Sequence, residues 1–202
     1  TFTASPSASV LLDGANSNHK VRFVPDANFN GTATIKYRAW DKSSGNAGDT
    51  NANTTSHGAA TPFSDADVTK TITVTAVNDQ PDVTFSSAAL TVNEDAGAQT
   101  VGSFANPTPG GGSTESSQNS FTFNVTNNNN FLFSTQPAIA PNGQLTFTPA
   151  TNTNGSATVS VEVNDNSGTT NNGVETRTRT FTINVDGIND PPVLTASGSS
   201  NL

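Results

Sequence analysis

Two Asn-Asp pairs, each followed closely by proline, are the residues of this chain whose types and spacing could do chemistry. They lie in the segments Ala76-Val-Asn-Asp-Gln-Pro81 and Gly187-Ile-Asn-Asp-Pro-Pro192. Proline fixes φ near −65° and lacks a backbone N–H, so it stiffens the chain and interrupts a sheet ladder. Carboxylate and amide oxygens on a stiff segment are the ligands that calcium prefers. Because Asn and Asp are also common turn residues, the pairs predict either two cation sites or two Asx turns.

Further acidic residues fall where predicted strands end. Asp41 and Asp165 each close a strand, and the pair Glu94-Asp95 follows an apolar segment that ends at Val92. Each of these side chains is a candidate cation ligand. The alternatives are that the two strand-terminal aspartates only cap loops and that Glu94-Asp95 is ordinary solvated charge.

The sequence contains no recognisable set of catalytic residues. Cysteine is absent, and the two histidines, His19 and His57, are far apart and outside any Ser-His-Asp pattern. The three glycines at 110–112 have neither the following helix nor the lysine of a phosphate-binding loop. We therefore expect a protein that is not an enzyme.

Composition narrows the class of protein and its partners. The 202 residues include 16 acidic and 8 basic side chains, for a net charge of −8. Nucleic acid is not an expected partner, because phosphate binding needs clustered Lys and Arg. No apolar run approaches the roughly 20 residues of a membrane span, so we expect no membrane insertion. The lack of cysteine excludes a disulfide framework.

Apolar residues alternate with polar ones along much of the chain, which predicts strands with one buried face. The clearest cases have inward residues at Ala33, Ile35 and Tyr37, and at Ala157 and Val159. Further strands are predicted at 21–24, 68–77, 83–92, 99–104, 121–125, 131–133, 145–147 and 181–185, with loops at 42–67 and 106–119. No stretch has a helical period, so the fold class is all-β.

An internal repeat divides the chain. The pattern Phe-x-Pro-x-x-Asn-x-Asn-Gly-x-Ala-Thr begins at Phe23 and again at Phe147, 124 residues later, while the Asn-Asp pairs are 111 residues apart. The shorter second offset implies a longer loop after Asp41 in the first copy. We predict an incomplete repeat at 1–79, a complete repeat at 80–190, and the first strand of a third repeat at 191–202. The strands missing from the first repeat would come from upstream sequence or from another chain.

These motifs together resemble a known family. The repeated Phe-x-Pro pattern, the opening segment Leu90-Thr-Val-Asn-Glu-Asp95 and the closing Val-Asn-Asp-x-Pro are similar to the cadherin-like tandem repeats of large bacterial surface proteins and adhesins. The resemblance covers nearly the whole chain. It implies tandem immunoglobulin-like or cadherin-like β-sandwiches arranged end to end at the bacterial cell surface, with calcium between them.

The same resemblance implies which residues hold calcium. A first site would use Asn78, Asp79, Asp82 and Asp165. A second would use Glu94, Asp95, Asn189 and Asp190, and Asp41 would contribute to a third. Because the linker is shorter and less acidic than in animal cadherins, the resemblance implies fewer or more weakly bound ions.

Three functions follow as hypotheses. The first is a calcium-stiffened structural extender within a large secreted or surface-anchored bacterial adhesin or matrix protein, whose partners are neighbouring repeats. The second is an extracellular filament subunit, in which one copy completes the open sandwich of another by strand addition. The third is a carbohydrate-binding module that contacts cell-surface or matrix glycans through aromatic residues such as Trp40 and Phe63.

Overall fold

A computed structural model of the chain describes residues 5–192, except residue 7, together with residue 194. The chain divides into two compact units, residues 1–76 and residues 77–202. The division falls just before the first Asn-Asp pair. Most of the segment 191–202, which we predict to begin a third repeat, lies outside the described residues.

Unit 1 (residues 1–76) has two strands within its described residues, β1 (Gly31–Trp40) and β2 (Phe63–Val74). They form an antiparallel pair in which Ala33 lies opposite Ile72, with a register shift between Arg38 and Trp40. The start of β2 corrects the prediction of a loop throughout 42–67.

The strand predicted at 21–24 is wrong. This segment has no regular secondary structure, and Val21 and Val24 are exposed. The corresponding residues of unit 2 lie in a strand that is paired on both sides. Phe23 instead makes an edge contact with Phe29, at a ring-centroid distance of 6.3 Å. The sequence pattern alone does not form a strand, because a strand also needs hydrogen-bonding neighbours.

Unit 2 (residues 77–202) has nine strands within its described residues. They are β3 (Asp82–Phe85), β4 (Ala89–Asn93), β5 (Gln99–Val101), β6 (Ala105–Thr108), β7 (Thr122–Asn127), β8 (Phe133–Ile139), β9 (Leu145–Pro149), β10 (Gly155–Asn164) and β11 (Thr176–Asp186). The sheets have the orders β4-β11-β10-β7, β5-β9-β8 and β3-β6. Strand β4 runs parallel to β11, whereas the other pairs are antiparallel.

All three sheets contribute to one hydrophobic core. Strand β10 places every second residue in it, as the alternation predicts, and these residues are completely buried: Ala157, Val159, Val161 and Val163. The rings of Phe85, Phe104 and Phe181 pack together with centroid distances of 4.7–5.4 Å. Burial of three such rings contributes several kcal/mol to the stability of unit 2.

Two local predictions in unit 2 need correction. The predicted loop at 106–119 includes most of β6 and a short 3₁₀ segment, Gly112–Thr114. The strand predicted at 131–133 is mostly a 3₁₀ segment, Asn130–Leu132, followed by β8. The described chain is nevertheless mostly strand with almost no helix, which confirms the all-β class. Among the described residues, no helix has the length and hydrophobicity needed to cross a membrane.

The hairpins β1–β2 and β10–β11 correspond residue by residue. Strands β1 and β10 each contain ten residues and begin at glycines with φ of +118° and +143°, 124 residues apart. Ala33 lies opposite Ile72, just as Ala157 lies opposite Ile183. The two strand offsets therefore equal those of the repeated motif and of the Asn-Asp pairs. The two units thus contain the same hairpin in the same register.

Candidate functional site

The segment that enters unit 2 is held against the residues just before β11. The backbone N–H of Val174 donates to the Asn78 carbonyl, and the Asn78 side-chain amide donates to the Val174 carbonyl, each at 2.9 Å. The Gln80 amide donates to the Thr176 carbonyl at 3.1 Å. Pro81 is fully buried. The first Asn-Asp pair is therefore part of the folded end of unit 2.

Asp165 ends β10 at this same place. Its side chain is almost completely buried, at 2% exposure. The Asn78 Nδ2 lies 3.2 and 3.1 Å from the two carboxylate oxygens, and the backbone N–H of Ser167 donates to Oδ1 at 3.0 Å. Asp165 thus forms an Asx turn and also binds the first Asn-Asp pair. The structure brings Asn78 and Asp165 together across 87 residues of sequence.

The carboxamide oxygen of Asn78 is a buried acceptor that receives no hydrogen bond from any described residue. The orientation of the amide is fixed, because its nitrogen donates to Val174 and Asp165. A buried polar atom without a partner costs free energy. The geometry therefore leaves one oxygen available to a donor or a cation.

Glu115 is the acidic residue that the sequence analysis missed at this end. It is 7% exposed. Its Oε1 accepts the backbone N–H of Asp79 and its Oε2 accepts that of Gly111, both at 3.0 Å. A signal was present, because Glu115 is the only charged side chain between Asp95 and Glu162. A lone acid in a polar segment has no motif, however, so its contact with Asp79 could not be inferred.

The carboxylates of Asp79 and Glu115 meet around Gly111. A Cβ added to Gly111 would lie 2.6 Å from Asp79 Oδ2 and 2.7 Å from Glu115 Oε2. Two like charges this close repel each other unless a cation or proton lies nearby. Among the described residues, no Lys, Arg or His forms an ion pair with Asp79, Glu115 or Asp165. Gly111 is therefore required sterically between two acidic groups.

We name Asn78, Asp79, Glu115 and Asp165 the entry cluster. Within the described ranges, no three His, Asp or Glu side chains converge closely enough to hold a metal ion by themselves. A cation at the entry cluster would therefore draw on the Asn78 carboxamide, backbone carbonyls and water in addition to carboxylates. Calcium accepts such mixed oxygen ligands and binds six to eight of them.

Asp82 has a different role. Its oxygens accept bonds from the Nε and Nη2 of Arg179 at 2.8 and 2.7 Å, and Arg177 lies 3.5 Å away. Hydrogen bonding from Arg179 lowers the pKa of the Asp82 carboxyl from 3.8 to about 2. Both oxygens are engaged, so we leave Asp82 out of the entry cluster.

Asp82→Asn is expected to remove a pH-dependent part of the stability of unit 2. Because the folded-state pKa is depressed, the ion pair contributes fully above about pH 4 and is lost as the pH falls towards about 2. Side-chain exposures of 31% and 44% for Asp82 and Arg179 imply solvent screening, which reduces the contribution to about 1 kcal/mol. Urea unfolding at pH 7 and pH 2 measures it. An equal difference between wild type and variant at both pH values would exclude this role.

The other predicted calcium ligands of unit 2 lie at the end from which the chain leaves. Glu94 is 6% exposed, and its Oε1 accepts the backbone N–H of Ile188 at 2.8 Å. Asp95 accepts the backbone N–H of Asn152 at 3.2 Å. The second Asn-Asp pair is exposed, and its Asn189 amide donates to the Asp190 carbonyl at 3.2 Å. Glu94 thus holds the start of the second linker, as Glu115 holds the first.

Asp41 ends β1 in unit 1, at the position that corresponds to Asp165. Its Oδ1 accepts the backbone N–H of Ser43 at 2.8 Å, which forms the same Asx turn. Hydrogen bonding from Ser43 lowers the pKa of the Asp41 carboxyl. Unlike Asp165, Asp41 is exposed. Its observed role is that of a loop cap.

The aromatic residues considered for glycan binding lie opposite each other at the end of the β1–β2 hairpin. Trp40 pairs in register with Phe63, and both side chains are half-buried. The indole N–H of Trp40 donates to the Ser44 carbonyl at 2.8 Å. The one polar group of the indole is therefore already used within the protein.

Comparison with known proteins assigns no family. No protein-family model matches the chain, and a search of curated proteins also finds no match. The fold and the site themselves define an all-β chain in two units, with buried acidic residues at the end where the chain enters unit 2.

Proposed function

We propose that this chain is a structural, non-enzymatic segment of a large secreted or surface-anchored bacterial protein. In this proposal it is an extender built from cadherin-like β-sandwich repeats, with calcium at the entry cluster. The observation that carries the proposal is the meeting of the Asp79 and Glu115 carboxylates beside a buried Asn78 oxygen that lacks a donor.

A calcium ion fits this donor set. It would neutralise the repulsion between Asp79 and Glu115 and would give the Asn78 oxygen a partner. Asp165 would supply a further carboxylate close to Asn78. Chemically, the ion would contribute positive charge and nothing else. The protein residues would contribute the position of the linker, since Glu115 already binds the Asp79 backbone.

The matching hairpins of the two units support the repeat part of the proposal. A repeated sandwich needs no pocket for a substrate, but each repeat must be attached firmly to the next. The segment that connects the units contains the first Asn-Asp pair, so an ion there would restrict its motion. Glu94, Asp95, Asn189 and Asp190 would act similarly where the chain leaves unit 2, with further ligands supplied by a following module.

The first test is calcium titration of thermal unfolding, followed by far-UV circular dichroism. Extracellular modules bind calcium with dissociation constants of roughly 10⁻⁴–10⁻³ M. At about 2 mM calcium, the tighter end of that range stabilises the folded state by about 2 kcal/mol. For a unit of this size we expect the midpoint to rise by roughly 5 °C. Magnesium at the same concentration should have a smaller effect, because it loses its water reluctantly.

Small-angle scattering with calcium and then with excess chelator tests the extender. We expect a larger maximum dimension with calcium, because a loosened linker samples bent conformations. Glu162→Gln is the matched control, since Glu162 is an exposed acid on the outer face of β10. A calcium response that persists in Glu115→Gln and Asp79→Asn, or no response in wild type, would contradict the proposal.

A further inference from the structure

The β1–β2 hairpin of unit 1 has unpaired edges and an exposed apolar face. Within the described residues, these strands pair only with each other over their length. Tyr37, Val68 and Ile72 lie on one face in paired register, with exposures of 48%, 43% and 40%. An edge with free backbone groups beside an apolar face is a template for strand addition.

Unit 2 shows which kind of strand covers the corresponding edge. There, β4 runs parallel to β11 with Leu90 opposite Ile183 and Val92 opposite Val185. The edges of β2 and β11 are alike, because Thr71-Ile-Thr-Val-Thr75 corresponds to Thr182-Ile-Asn-Val-Asp186 at the offset of 111 residues. The pairing of both strands to their hairpin partners has the same register.

We propose that the outer edge of β2 is an acceptor for an added strand with the pattern Leu-x-Val. The strand pairs parallel to β2, with its leucine opposite Ile72 and its valine opposite Val74. Backbone hydrogen bonds supply the affinity, and the alternate apolar residues supply the specificity. The inference goes beyond the extender and does not depend on calcium.

One residue of the edge also sets the charge of the partner. Lys70 occupies the position that corresponds to the buried Phe181 of β11, and it lies opposite Ile35 on the apolar face. A lysine on this face disfavours indiscriminate pairing of edges. In the parallel register, it faces the residue two positions before the leucine of the added strand. An acidic residue there would pair with Lys70, so the preferred partner has the pattern acid-x-Leu-x-Val.

The experiment uses the full 202-residue chain and a fluorescein-labelled synthetic peptide with the sequence of residues 86–95. Fluorescence anisotropy should show saturable binding. Ala88→Asp in the peptide should tighten binding by about threefold, since an exposed ion pair contributes up to about 1 kcal/mol. Leu90→Lys with Val92→Lys in the peptide should abolish binding. No saturable binding of either parent peptide would overturn the proposal.

Variants of the protein locate the binding edge. Ile72→Lys should weaken binding by at least about tenfold, because it places a second charge on the apolar face. Thr73→Lys, on the opposite face, is the matched control and should change the affinity by less than about twofold. The fluorescence of Trp40, the only tryptophan, verifies that unit 1 remains folded in each variant. Equal affinities for the two variants would count against the assigned face.

Disulfide capture tests orientation and register, and the absence of native cysteine makes it clean. In the proposed register, peptide residue 91 lies opposite Thr73, where Cα atoms of paired strands are about 5 Å apart and a disulfide can form. Thr73→Cys should therefore capture a peptide that carries Thr91→Cys, whereas Thr69→Cys should not. Capture by Thr69→Cys to the same extent would refute the register. Capture by Asn184→Cys instead would show that the peptide replaces β4 in unit 2.

Discussion

Glu115→Ala should destabilise unit 2 by about 3 kcal/mol. The substitution removes the acceptor for the backbone N–H groups of Asp79 and Gly111 in a buried setting. Each buried donor left without a partner costs about 1–3 kcal/mol. Relief of the repulsion from Asp79 offsets part of this loss. Glu115→Gln should be milder, because the amide oxygen can still accept one of the two bonds.

Intrinsic fluorescence and circular dichroism separate the two units in this measurement. Trp40 and Tyr37 are the only tryptophan and tyrosine and both lie in unit 1, so fluorescence reports the unfolding of unit 1 alone. Far-UV circular dichroism reports mainly unit 2, which has nine of the eleven described strands. Glu115→Ala should lower the urea midpoint by dichroism and leave the fluorescence midpoint unchanged. Glu162→Ala is the control and should change neither. A wild-type dichroism midpoint in Glu115→Ala would show that the carboxylate does not stabilise the linker.

Sequence pattern predicted strands well where one face packs on a continuous core. The alternation in β10 was sufficient, because every inward residue of that strand is completely buried. The segment at 21–24 has the same motif as the start of β9, but its fate depends on partners elsewhere in the chain. Strand β9 lies between β5 and β8, whereas the described part of unit 1 offers the segment no such neighbours. Local pattern cannot encode that difference.

The candidate site was predictable to the extent that its residues lie in motifs. Asn78, Asp79 and Asp165 stand at strand ends and in the repeated Asn-Asp segment, and the structure joins Asn78 to Asp165. Glu115 lies in a segment without a motif. The engagement of Asp82 by Arg179 spans 97 residues of sequence, so only the register between distant strands reveals it. Long-range pairing of charges is the part of the site that sequence spacing cannot supply.

Asp165 and Asp41 form a natural pair for measuring what the entry cluster contributes. They occupy corresponding positions at the ends of β10 and β1, and each accepts the N–H of the residue two positions later. The Asx turn is therefore common to both. Only Asp165 is buried and bound to the Asn78 amide. Any difference between equivalent substitutions thus reports the contact with the linker rather than the turn.

Asp165→Ala should destabilise unit 2 by about 2 kcal/mol, since hydrogen bonds to a charged group contribute about 1.5–3 kcal/mol and the regained desolvation offsets part of the loss. Asp41→Ala should leave the fluorescence midpoint of unit 1 nearly unchanged, because water replaces the lost acceptor. Adding Asn78→Ala to Asp165→Ala should cost less than the two single effects combined, because both remove the same contact. Additive effects would mean that Asn78 and Asp165 act independently. In that case a cation at the entry cluster could not fix the linker through Asp165, and the extender would depend on Asp79 and Glu115 alone.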